Sequence, residues 1–248
     1  MRFLLNFMDK LVFERRGKER IIEVIESGEK AVIDFLNGYS VYLYENNADF
    51  RNSLGKCRYY NFPDGVIISI FHLMKHGSWL PRTTGPEFTE FFLQQDKYMR
   101  NSRHFFLGIN ETNMNAMMKR FPLLKPANVA HYNPPYIKGL HFPKSEINKI
   151  VGLINKHRPD YLWMGLGNPK KEIMLGEIFG RAGFRTAFPV GAAFDFFSGA
   201  KKQAPKAVRA LGLEWLFRLV TDFGYSKGKV GNSFRSLSML NRYVVFRD

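Results

Sequence analysis

The chain has 248 residues and a formal net charge of +15, enough length for one large or two small α/β domains, and so basic that an anionic partner is expected: nucleic acid, phospholipid headgroups or a phosphorylated substrate. Its single cysteine, Cys57, excludes an internal disulfide and a cysteine-based zinc site. The longest apolar run, residues 66–74, is broken by Ser69 and His72 and falls short of the ~20 residues of a spanning helix, while the apolar residues 1–8 are too short for a signal peptide and follow no basic segment, so a soluble or peripheral protein is expected.

Taken in order, residues 15–27 read as an amphipathic helix with Ile21, Ile22, Val24 and Ile25 inward. Residues 31–36 read as a strand ending at Asn37-Gly38, 41–54 as a helix, and 58–62 as a short strand ending at Pro63-Asp64-Gly65. An apolar helix over 66–75 follows, so Asp64 stands at a strand-to-helix corner, where a side chain can face a cleft. Residues 80–86 form a rigid loop carrying Arg82, Thr83 and Thr84. A helix is expected at 88–95, a strand at 104–107, a helix at 113–120 capped by Thr112 or Asn113, and a strand at 128–132. Residues 145–157 read as a helix capped by Ser145.

The most informative stretch is 161–199. Residues 161–164 suit a buried strand. Gly165 and Gly167 follow, and Pro169 sits where a helix opens. Lys170, Lys171 and Glu172 begin that helix, and Gly183 stops it. Residues 184–190 form a second strand, running into Gly191-Ala192-Ala193. Such a βαβ unit binds ligands at the carboxyl ends of its strands, and a helix N-terminus beside two lysines suits an anion such as a diphosphate. The regular alternation predicts an α/β fold of mostly parallel, Rossmann-like sheets with helices on both faces. A basic, helical appendage is expected beyond residue 204. From residue 201 onward ten Lys/Arg face three Asp/Glu, interleaved with Trp215, Phe217, Phe223, Tyr225, Phe234, Tyr243 and Phe246, and Gly224, Gly228 and Gly231 suggest a mobile joint. Three parts are therefore expected: residues 1–103, 104–203 and 204–248.

The residues alone leave several roles open. Asp64 in Pro-Asp-Gly reads as a turn aspartate. Gly165 and Gly167 fit either a nucleotide site or an ordinary helix-opening turn. Asp195 fits a ligand to a sugar hydroxyl or a cap on the next segment, and Phe194, Phe196 and Phe197 read as core. A dinucleotide-dependent oxidoreductase is disfavoured, because Lys170 occupies the third glycine's place and no acidic residue ends the following strand. No helix-turn-helix, zinc or RNA-binding signature supports a nucleic-acid partner.

Four patterns together resemble the bacterial WecG/TagA/CpsF glycosyltransferases: Pro63-Asp64-Gly65; Arg82-Thr83-Thr84-Gly85; residues 163–172; and residues 190–199, followed by Ala204-Pro205 and by residues 212–219. The resemblance spans roughly residues 31–220. It implies an inverting transferase at the cytoplasmic membrane face, moving a sugar from a UDP-sugar to a polyprenyl-diphosphate-linked saccharide for surface polysaccharide or teichoic-acid-type polymers. It implies Asp64 as the base and Arg82 and Arg218 as catalytic cations. It also points to Asn37, Thr84, Gly165, Gly167, Pro169, Lys170, Lys171, Gly191 and Asp195 as substrate-binding. Two positions depart from the family pattern: Phe35 stands where a threonine precedes the asparagine, and Lys171 stands where glutamine is frequent. No two aspartates lie two apart, so no metal or other cofactor is expected. The basic, aromatic tail is expected to meet an anionic membrane surface. A homo-oligomer off the membrane stays open.

Overall fold

The computed structural model describes residues 10–221 and 223–247; the apolar residues 1–8 lie outside them. Eight strands form one parallel sheet, where the sequence left more than one sheet open. They are β1 (Leu11–Glu14), β2 (Ala31–Leu36), β3 (Tyr59–Pro63), β4 (His104–Leu107), β5 (Val129–Tyr132), β6 (Tyr161–Met164), β7 (Thr186–Pro189) and β8 (Val244–Arg247), in the order β5-β4-β6-β7-β2-β3-β1-β8. Neither β1 nor β8 is marked by turn residues on both sides, and neither is evident from the sequence. The pair forms the far edge, in register from Leu11↔Val244 to Glu14↔Arg247.

Helices fill the crossovers: α1 (Gly17–Glu26), α2 (Gly38–Asn46), α3 (Ala48–Leu54), α4 (Val66–His76), α5 (Gly85–Phe92), α6 (Asp96–Met99), α7 (Glu111–Arg120), α8 (Lys144–His157), α9 (Lys170–Ile178) and α10 (Ala193–Phe197). Then come α11 (Lys206–Ala210), α12 (Glu214–Thr221), α13 (Phe223–Arg235) and α14 (Leu240–Tyr243). Caps account for the differences from the sequence reading. Asn47 accepts from Phe50 N at 2.8 Å and splits the helix expected over 41–54 into α2 and α3. Asn110, not Thr112 or Asn113, caps α7 by accepting from Asn113 N at 2.8 Å. Pro143, not Ser145, is the N-cap position of α8, which starts at Lys144, one residue before the expected start. The helical appendage expected beyond residue 204 is broken at Gly212, whose φ of +71° a side chain would strain. Residues 223–235 are helical, so the joint expected at Gly224, Gly228 and Gly231 lies inside α13.

Alternation along the strands divides the core. Ile33, Phe35, Phe62, Phe106, Trp163 and Phe188 pack on one face with α5 and α7. Val32, Phe105, Leu107, Leu162 and Met164 pack on the other, under α8 and α9. A third cluster joins Phe13, Val41, Ile68 and Phe71 near the β1 edge. Phe246 is part of it, 6.1 Å from the Phe13 ring and 6.3 Å from Phe71, so this tail aromatic serves the core. No helix among the described residues is long and apolar enough to cross a membrane.

Candidate active site

In a parallel sheet every strand delivers its following turn to the same edge. β2 and β3 are paired from Val32↔Tyr59 to Leu36↔Pro63, which sets Asn37 and Asp64 side by side. β2 pairs with β7 only at Ala31↔Thr186 and Val32↔Ala187, although β2 runs on to Leu36 and β7 to Pro189. The two strands therefore part toward their carboxyl ends and open a crevice where the halves of the sheet meet, the place where such folds bind ligands. The glycine corner after β6 lies on this edge too. Three strand spacings separate it from Asp64, about 14 Å.

Asp64 is held by its own amide, which donates to Leu36 O at 2.9 Å. Gly65 follows because any side chain there would meet Asn37 Cβ at 2.9 Å. Solvent still reaches the Asp64 carboxyl, yet protein crowds it, as at the floor of a cleft. That burial, reinforced by the charge of Glu214, raises its pKa to about 7, against the opposing pull of Arg218, Arg82 and Lys171. A carboxyl so placed is ready to exchange a proton near neutrality.

Arg82 sits on the loop returning beside β3, where Thr83 N donates to Pro63 O at 2.8 Å. Its Nη2 donates to Arg209 O, tying that loop to the C-terminal segment. Thr84 caps α5, accepting from Glu87 N at 3.3 Å. At Gly85 an added Cβ would lie 3.4 Å from Phe35 and 3.5 Å from Val190 O, so this turn closes one wall of the crevice. Phe35 is buried 5.6 Å from the Phe88 ring and belongs to that wall. From the other side, a Cβ added at Gly212 would lie 3.0 Å from Val66, so the turn that opens α12 packs closely on the start of α4. Arg218 on α12 pairs with Glu214 at 2.7 Å and lies 5.3 Å over the Phe196 ring. The structure thus gathers Asn37, Asp64, Arg82 and Arg218 from distant parts of the chain.

The glycine corner is shaped by contact. A Cβ on Gly165 would fall 2.4 Å from Phe194 and 3.0 Å from Gly108 O, so only glycine fits. Gly167 is exposed, and Pro169 leads into α9. Gly191, at φ +58°, donates to Met164 O at 3.0 Å and keeps the turn after β7 beside this corner. Asn168 Nδ2 donates to Ser40 Oγ at 3.1 Å, linking the corner to the first turn of α2. Lys170 reaches sideways, donating to Ile137 O, with its ammonium 5.2 Å from the Tyr136 ring. Asp195 pairs with Lys201 at 3.1 Å. Phe194 and Phe197 are buried core residues and Phe196 is partly covered.

Lys171 departs from the expected picture of a cation facing a diphosphate. Its ammonium is buried, 2.8 Å from Asp34 Oδ1 and 2.6 Å from Glu172 Oε1, both carboxylates being fully buried. Burial by itself would lower the Lys171 pKa, and the two carboxylates more than reverse this. Burial pushes Glu172 up, to about 7, against the pull of Lys171. The reason is positional: residues 170 and 171 are 100° apart on α9, so one lies along the edge while the next faces β2. Asp34, mid-strand in an apolar run, was the available signal for a buried partner. Glu214 lay unassigned inside the motif at 212–219. Among the described residues no group of three or more His, Cys, Asp or Glu could hold a metal ion.

The glycosyl transferase WecG/TagA/CpsF family model matches residues 8–225, which takes in every element from β1 to α12. The chain belongs to this family. Curated relatives include proteins from Staphylococcus aureus strains MRSA252, NCTC 8325 / PS 47 and COL, each named N-acetylglucosaminyldiphosphoundecaprenol N-acetyl-beta-D-mannosaminyltransferase. Each is 28% identical over 130 residues, covering 51% of this chain and 47% of the relative. The chain spans about half the length of the curated relatives it matches.

Proposed function

We propose that the chain is an inverting glycosyltransferase, moving a sugar from a UDP-sugar to a polyprenyl-diphosphate-linked saccharide at the cytoplasmic membrane face. The observation that carries this reading is the Asp64 carboxyl, raised to about 7 on the crevice floor with Arg82 and Arg218 acting on its charge. In this reading the crevice divides the labour. Residues 1–103 present the acceptor side and residues 104–203 the nucleotide side. Asp64 takes the proton of the acceptor hydroxyl as that oxygen attacks the anomeric carbon, and the bond to UDP breaks on the opposite face of the sugar. Charge growing on the departing diphosphate is met by the amides opening α9, by Lys170 and by Arg82 and Arg218. Gly165, Gly167, Pro169 and Gly191 shape the nucleotide seat, Asn37, Thr84 and Asp195 offer polar contacts to donor or acceptor, and Lys171 acts from behind by fixing the corner. No essential metal is part of the proposal. The activity named for the Staphylococcus aureus relatives supports an N-acetylglucosamine-capped, diphosphate-linked lipid as the acceptor class.

The test is incubation with a panel of UDP-sugars and a short-chain polyprenyl-diphosphate-N-acetylglucosamine analogue, with and without EDTA. UDP release accompanied by a new glycolipid is expected. Absence of both with every donor sinks the reading, and release abolished by EDTA rejects its metal-free part.

A further inference from the structure

Helix α4 begins two residues after Asp64 and is apolar on both sides. Ile67, Ile68, Phe71 and His72 face the core. The opposite stripe, Val66, Ile70, Leu73 and Met74, follows the spacing i, i+4, i+7, i+8 of one helix face. Ile70 is 39% exposed, Leu73 43% and Met74 79%, and Trp79 just past the C-terminal Gly77 is 50% exposed. A helix apolar all round is ordinarily covered. Among the described residues, the exposed large hydrophobics other than Tyr136 lie either here or between Leu211 and Leu237. The two groups adjoin, because Gly212, flanked by exposed Leu211 and Leu213, lies so close to Val66 that an added Cβ would fall 3.0 Å from it. The rim carries lysines: Lys75 lies in the last turn of α4, and Lys202 and Lys206 are exposed on the segment leading to Gly212.

We infer that the outer face of α4, with Trp79, is the surface by which the protein sits on an anionic lipid bilayer. Charge selects that occupant. An apolar stripe rimmed by lysines on a chain of net charge +15 matches hydrocarbon beneath negative headgroups and opposes a second copy carrying the same charge. A tryptophan at the end of the stripe suits the headgroup level. The surface starts beside Asp64, so a diphosphate held at the headgroups lies next to the crevice. This last point rests on the transferase reading; the docking surface itself does not.

The experiment measures partition of the full chain onto vesicles of phosphatidylcholine with 30% phosphatidylglycerol, and onto phosphatidylcholine alone, with no sugar substrate present. Ile70→Glu with Met74→Glu is expected to weaken binding to the anionic vesicles at least about tenfold, with circular dichroism unchanged. In a Trp215→Phe background, which keeps only Trp79 and the buried Trp163, the Trp79 emission, taken as the difference from the same background carrying Trp79→Phe, is expected to shift to the blue on binding and to be quenched by brominated lipid, a readout independent of how the double variant folds. Equal partition of variant and wild type, or unquenched Trp79, overturns the proposal. So does a variant that loses only self-association in sedimentation velocity, which assigns the face to a second copy. A chain that docks in this way but turns over no UDP-sugar leaves this surface standing and removes the transferase reading alone.

Discussion

Asp64→Asn separates a base from a turn residue, because the two roles predict opposite changes in stability. Asparagine keeps the shape of the corner and the amide bond to Leu36 O. It removes a carboxyl whose pKa is raised from 3.8 to about 7 by burial and by Glu214. Folding therefore holds a proton that the unfolded chain releases. The penalty is absent below about pH 4, grows as pH rises to about 7, and is complete above it. At about 1.4 kcal/mol for each pH decade, the ceiling is about 4 kcal/mol. Solvent reaches the carboxyl, so about 1–2 kcal/mol is the expected yield. The variant should melt higher than wild type at pH 8 and equally at pH 4, by differential scanning fluorimetry across that range. It should also lose about 10²–10⁴-fold in turnover, while wild-type kcat/KM rises with pH and reaches half its plateau near 7. An Asp64→Asn protein that is less stable at pH 8 and turns over normally refutes the assignment.

Three further outcomes follow from the geometry. Gly165→Ala forces its methyl into the buried Phe194 ring at 2.4 Å and should cost about 1–3 kcal/mol in urea unfolding, with UDP affinity lost in the same variant; full stability would mean that the corner gives way freely. Lys171→Met strands Asp34 and Glu172 without a cation and should cost about 3–5 kcal/mol at pH 8, less at pH 5 where protonation of Glu172 relieves part of the loss, whereas adding Asp34→Asn and Glu172→Gln should restore most of the loss; a pH-independent loss argues against the buried charges. His141 is held at 3.0 Å by both Asp49 and Glu177, and hydrogen bonds to these carboxylates raise its pKa. Its contribution is present below about pH 6.5 and fades as pH rises through the raised value, so His141→Ala should lose under about 1 kcal/mol at pH 6 and nothing at pH 9. Equal losses at both pH values would show that packing, not charge, is at stake.

The sequence by itself determined whatever depends on neighbours along the chain. Strand-turn-helix alternation gave the α/β class, and the glycines at 165, 167 and 191 marked turns, of which the one at 165 admits no side chain. The order of short motifs carried the family. Tertiary structure alone decided what depends on distant partners. The four-residue strands at the β1 and β8 edge gain their pairing from each other, across more than two hundred residues, so local pattern could not reveal them. Two adjacent lysines with the same local signal part company because successive helical side chains diverge, and only one finds Asp34 beneath it. The raised pKa of Asp64 arises first from burial and then from the charge of Glu214 on α12, at a corner that a local reading takes for a simple turn. Proximity between residues far apart in sequence sets burial and field, and those two quantities turn a common turn aspartate into a candidate base.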